Sequence, residues 1–137
     1  MSVSNALQAA VFQALGGVNG FNVDGVNVGV FDRVPENAPY PYVSFGPSDA
    51  TPDRMEGIRA SIETLQLDIW TNYGGGSKQS KEIANVIVAN LDEAPLDVAP
   101  HHLVKITLEQ SRHFADQNPN LTHGVLVFEA HLEEALG

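Results

Sequence analysis

The chain of 137 residues has no cysteine, so neither a disulfide framework nor thiol chemistry is open to it. Cations are scarce too: seven Lys and Arg stand against seventeen Asp and Glu, a net charge of −10. Gripping a phosphate backbone takes clustered basic side chains, which seven scattered ones do not supply, so sequence-specific DNA or RNA binding is not expected. No apolar stretch approaches membrane-spanning length. The opening "MSVSNALQAAVFQALGG" lacks a basic n-region and carries Asn5, Gln8 and Gln13, unlike a signal peptide. The expectation is a soluble, cytoplasmic chain with no membrane partner, folded as one domain over residues 1–137. The acidic excess serves solubility by default. An acidic wall also lets nucleic acid slide through a passage without sticking.

What is present has clear periodicity. Leu7, Ala10, Val11, Ala14 and Leu15 make one helical stripe, started by Ser2 or Ser4 and ended by Gly16-Gly17. Phe12 lies off that stripe, as does Val86 off the second one. Each packs under a loop or, if exposed, serves a subunit contact. A Gly- and Asn-rich stretch, Val18 to Gly29, leads to a strand at about Val28–Asp32, and a second strand spans about Tyr42–Phe45. "GPSDATPDRMEGIRA" shows no hydrophobic period and reads as an exposed, mobile loop. From Ser61 to Thr71 the chain alternates: Leu65, Leu67 and Ile69 face a core, while Thr64, Gln66, Asp68 and Trp70 face the other way. A second helix follows Ser77, buries Ile83, Ala84, Ile87, Val88 and Leu91, and stops at Pro95.

The last third reads as a β-hairpin. Val104, Ile106 and Leu108 alternate on one strand, and Leu126, Phe128, Ala130 and Leu132 on the other. Folding about Asn118, with "DQNPN" as the turn, sets Leu108 against Phe128, Ile106 against Ala130 and Thr107 against Glu129. The fold class is therefore α+β in the order α-β-β-β-α-β-β, with two helices on one face of a mostly antiparallel sheet.

Chemistry is harder to find. "YGGGSK" lies between a strand and a helix but matches neither the Walker nor the dinucleotide pattern, and a sharp turn accounts for its glycines. The hairpin register carries His113 opposite His123 with Asp116 nearby, a set that could hold zinc and support a small metal-dependent hydrolase. There is no H-E-x-x-H, no G-x-S-x-G and no calcium-loop spacing in "DATPDRME". The balance is against an enzyme, and no cofactor or resident metal is expected.

"VFDRVPENAPYPYVSFG" joins two short apolar runs through three prolines. Each proline removes a backbone donor, and residues before prolines are pushed to extended geometry. The result is a stiff spacer bearing Tyr40 and Tyr42, either a turn that fixes strand order or a surface for a partner. This segment resembles the signature of small tail-completion or tail-terminator proteins of long-tailed bacteriophages and gene transfer agents, in which an aromatic-Asp-x-x-Pro stretch leads into Pro-Tyr-Val and a glycine. The likeness continues through "ALQAAVFQAL", through "TLQLDIWTNYGGGSKQSKEIANVIVANLDEAPL", and through the closing hairpin with Arg112 and His123-Gly124.

The resemblance implies a structural virion protein without catalysis. Such a protein forms a ring, typically a hexamer, at the head-proximal end of the tail, where it caps the tube, ends its polymerisation and meets the head–tail connector. It would assemble in the host cytoplasm and pass DNA through its bore unbound. A ring needs two different patches on each copy. The candidates for contacts with other copies or with the tube protein are Phe12, Tyr40, Tyr42, Asp53, Arg54, Met55, Glu56, Trp70 and Arg112. Another adaptor of the head–tail joint is the alternative of the same class.

Overall fold

Ser2 accepts a 3.1 Å hydrogen bond from the Asn5 backbone N–H and caps helix α1 (Val3–Ala14) in a computed structural model that describes residues 1–135. The helix buries Ala6, Leu7 and Val11, with Leu15 sealed just beyond its end. Gly16 then turns the chain away at φ 94°, a conformation that favours glycine. Helix α2 (Lys78–Leu91) buries Ile83, Ala84, Ile87 and Leu91 as its spacing requires. Ser77 occupies its N-cap position, although the side chain makes no capping hydrogen bond.

Six strands among the described residues form one sheet: β1 (Phe21–Val23), β2 (Val26–Phe31), β3 (Tyr42–Met55), β4 (Ile58–Thr71), β5 (His102–Ala115) and β6 (Thr122–Glu134), in the order β1-β2-β3-β4-β6-β5. All neighbours are antiparallel except β2 and β3, which run parallel over three register pairs from Gly29↔Tyr42 to Phe31↔Ser44. The proline segment makes this possible: it carries the chain from Phe31 back to Tyr42 beside Gly29 in ten residues, too few for a helical crossover. Both helices pack on one face, against Leu65, Leu67, Ile69, Leu126, Phe128 and Ala130, and this is the core.

The expected class and the helices hold, but the strands differ from expectation in several places. The stretch read as a mobile loop is instead an arm. β3 runs on to Met55 and β4 begins at Ile58, paired residue by residue through Arg54↔Arg59 and Met55↔Ile58, with Glu56-Gly57 at the tip. It lacks a hydrophobic period because most of it is wet on both faces: every residue from Pro47 to Arg59 is exposed except Asp53. The Gly- and Asn-rich stretch contains an additional strand, β1, hairpinned onto β2 through Asp24-Gly25, both at positive φ, the turn that an Asp-Gly pair encodes. Val104, placed on the core face by alternation, is 54% exposed because the β5–β6 register slips between Leu103 and Lys105.

Phe12 and Val86 are half-buried and pack against the core, so neither stands out from the surface as an isolated apolar group. Phe12 also lines a groove of about 460 Å³ with Phe31, Phe45 and Val30. No helix among the described residues is long and apolar enough to cross a membrane.

Candidate functional site

A β-strand sends alternate side chains to opposite faces, so the face that turns away from the helices collects Tyr42 and Ser44 from β3, Gln66, Asp68 and Trp70 from β4, His123 and Val125 from β6, and Arg112 and Phe114 from β5. An aromatic row crosses it near the end where β3 begins. Tyr40 stacks on Tyr42 at 5.2 Å between ring centres, and Phe31 meets Tyr42 edge-on at 5.9 Å. Trp70, the register partner of Tyr42, stacks on His123 at 3.9 Å and 16°. Phe114 leans on the same imidazole at 4.9 Å, and the Arg112 guanidinium lies 5.3 Å from the Phe114 ring centre. Burial, and Tyr40 beside it, push the Tyr42 hydroxyl above its usual range, so it stays protonated.

Polar groups lock the row in place. His123 Nε2 lies 2.7 Å from Asp68 Oδ1, which also accepts from Gln66 Nε2 at 3.1 Å, while Trp70 Nε1 donates to Ser44 Oγ at 3.3 Å. Asp68 is 8% exposed because β3 bulges beside it at Gly46, where a Cβ would come within 2.5 Å of Asp68 Oδ2. That explains physically why a glycine closes the "PYVSFG" run.

Four of the expected contact residues, Tyr40, Tyr42, Trp70 and Arg112, therefore share one end of the open face. Asp53, Arg54, Met55 and Glu56 sit at the far end, on the arm, and Phe12 lies on the helix side. Phe114 and Asp68 were not singled out in the sequence. Phe114 was hidden because the assumed hairpin register put His113, not Phe114, opposite His123.

The zinc set is not assembled. A second slip between Leu108 and Gln110 leaves His113 opposite Gly124 and Phe114 opposite His123. Cross-strand partners share a face, so the two histidines lie on opposite sides of the sheet. His123 is taken by Asp68, while His113 turns inward to Ser80 of α2, Nδ1 to Oγ 2.6 Å. Among the described residues no group of three or more His, Cys, Asp or Glu is placed to hold a metal ion. The hydrolase alternative has no site among the described residues.

His113 titrates below its ordinary 6.5, first because burial disfavours the cation and second because Lys81 repels it. A base whose folded pKa is depressed lets the unfolded chain bind more protons, so stability falls as pH drops below about 6.5 and continues to fall down to the folded pKa. In urea titrations at pH 7.5 and 5.5, His113→Gln is expected to lose this part of the acid sensitivity. An unchanged pH slope would show that the imidazole is not its source.

Residues 8–133 match the family described as tail completion protein gp17, which covers most of the chain. The chain belongs to that family, and with it to the structural proteins of phage tails, not to enzymes. A solved chain from a structure titled "Virion of native gene transfer agent (GTA) particle" has the same fold, with a TM-score of 0.80 at 24% identity over 97% of this chain and 98% of that one. A second solved chain superposes with a TM-score of 0.61 at 14% identity over 100% and 99%. Among curated proteins no relative matches.

Proposed function

We propose that copies of this chain close into a ring, a hexamer as the resemblance implies, at the head-proximal end of the tail. There the ring caps the tube, ends its polymerisation and joins the tail to the head. The observation that carries this reading is the aromatic row on an uncovered sheet face. Trp70, Tyr40, Tyr42 and Phe114 are only partly covered, yet they are pre-positioned by stacking and hydrogen bonds, the kind of rigid aromatic anchor that interfaces use. Four long strands of 13 or 14 residues, β3-β4-β6-β5, alternate in direction. Copies set side by side in one orientation keep all helices on one side and all aromatic rows on the other, as a closed ring requires. The tube protein and the head–tail connector are the partners proposed for the two rims. The chain's charge of −10 suits a bore through which DNA passes unheld. Assembly is proposed to take place in the host cytoplasm.

Three variants test the reading: Trp70→Ala, Tyr40→Ala, and deletion of the arm tip within Ser48–Arg59. In a host producing particles, each is expected to give over-long tails and unattached heads, scored by electron microscopy. Normal tail length and normal joining in all three would sink it. If an adaptor lies at the joint instead, tails would keep their length and only joining would fail.

A further inference from the structure

The arm that the sequence disguised as a loop has an underside. β4 and β3 present Ala50, Pro52, Arg54, Met55, Ile58 and Arg59 around a groove of about 510 Å³, on the helix side of the sheet where Val3 of α1 also reaches it. Its floor is small and apolar. Arg54 and Arg59 are direct cross-strand partners, an arrangement of like charges that works against the hairpin unless an anion relieves it. Among the described residues the ion pairs are His123–Asp68 and His131–Glu129, and neither arginine takes part in one. Glu134, opposite Arg59 on β6, is the one carboxylate on the lining among the described residues.

The opposite edge of the sheet carries the complement. β5 would offer bare backbone groups there, but the α2–β5 connection covers them: the Asp92 carboxylate accepts from Leu108 N–H at 2.8 Å, and Glu93 N–H donates to Ile106 C=O at 2.7 Å. What faces outward in their place is Glu93-Ala94-Pro95-Leu96-Asp97, with the Glu93 and Asp97 side chains exposed. The register places Glu93 level with the root of the groove at Ala50, since Ile106 pairs with Ala130, Ala130 with Glu63, and Glu63 with Ala50, and from there the connection runs on to His102, whose partner Glu133 precedes the Glu134 that lies opposite Arg59. Both features lie on the helix side of the sheet, because the connection packs along α1. Same face, same height and opposite edges are what two neighbours in a ring need.

We infer that the acidic connection of one copy, with Glu93 foremost, docks into the Arg54–Arg59 groove of the next copy. This rests on the ring reading and gives it a specific heterologous joint. The occupant is a second copy because the groove is a cationic site on a chain with seventeen acidic and seven basic residues, and the acids best placed to meet it lie one step around the ring.

The test uses two variants of the full chain: Arg54→Glu with Arg59→Glu, and Glu93→Arg with Asp97→Arg. All four positions lie outside the core, and circular dichroism and thermal melting check that each variant folds. Each variant alone is expected to weaken assembly on the order of tenfold or more, read by native mass spectrometry and by incorporation into tails. Mixed one to one, they are expected to close a ring of alternating copies, because each acidic connection then meets an arginine groove and each arginine connection meets a glutamate groove. Uniting both reversals in one chain is expected to restore the ring. Glu93→Gly is a quieter probe. Glu93 sits at φ 56°, where glycine is unstrained, so this variant is expected to melt no lower than the parent while assembling less well. Unchanged assembly by both reversed variants, in solution and in tails, would overturn this joint and leave the ring standing. Tails that contain no multimer of the parent chain would overturn both.

Discussion

Replacing Gly124 with alanine is expected to cost the fold about 3 kcal/mol, the combined scale of overpacking and of a disturbed buried hydrogen bond. Gly124 lies on the core face of β6, between Ile69 of β4 and His113 of β5. A Cβ there would stand 2.6 Å from Ser80 Oγ, 3.0 Å from His113 Nδ1 and 3.1 Å from the Ile69 Cβ. The glycine is thus the space in which α2 is tied to the sheet by the Ser80–His113 hydrogen bond. The methyl must either push Ser80, which is fully buried, off His113 or displace β6 from β4. Urea unfolding reads the loss. Making the change in a Ser80→Ala background separates the two routes: the double variant should lose less than the sum of the singles, because the shorter side chain yields space. A loss under about 1 kcal/mol for Gly124→Ala alone would show that the strand shifts freely and that the glycine has no packing role.

The same position shows why the sequence was legible in some places and not in others. Both helices, the core stripe of β4 and the pairing of Leu108 with Phe128 follow from hydrophobic period alone, because those residues are buried on one side and wet on the other. Bulges leave no such mark. Slips of one residue at Leu103/Lys105 and Leu108/Gln110 reverse the facing of what lies beyond them, which sent Val104 outward and separated His113 from His123. The arm was illegible for another reason: a hairpin wet on both faces has no core to impose alternation, and its like-charged Arg54↔Arg59 pair argues against pairing in isolation. Its one local cue was Glu56-Gly57, with Gly57 at φ 76°, set between Met55 and Ile58. Among the site residues, Trp70 was visible as an aromatic set among polar groups on the wet face of its strand. Its partners were not, because they arrive from β3, β5 and β6 through long-range register.

At the root of the arm, Glu63 carries the second large effect. It is 3% exposed, lies opposite Ala50 and Ala130 on the core face, and its Oε2 has no hydrogen-bond partner among the described residues. Burial raises its pKa above 4.5 and Asp49 adds to the rise, while the Ser4 hydroxyl in the first turn of α1 works the other way. A carboxyl whose folded pKa is raised is held more tightly as the acid in the native state. Its contribution is therefore best at low pH and is lost as pH climbs from the unfolded value through the folded one. Above the folded pKa the chain bears the cost of an under-solvated charge. Glu63→Gln keeps the shape and supplies donors to a site that has an unused acceptor and a nearby hydroxyl. It is expected to stabilise the protein by about 1–3 kcal/mol at pH 7, with the gain shrinking as pH falls towards 4.5. The two buried titrating groups act in opposite senses on acidification: His113 removes stability below about 6.5, and Glu63 returns some of it at lower pH. In a His113→Gln background, acidification towards 4.5 should therefore add stability through Glu63, an increment that adding Glu63→Gln abolishes. A gain from Glu63→Gln that did not vary with pH would assign the effect to shape and hydrogen bonding, and would remove ionisation of this carboxyl from the account of how the arm is held to the core.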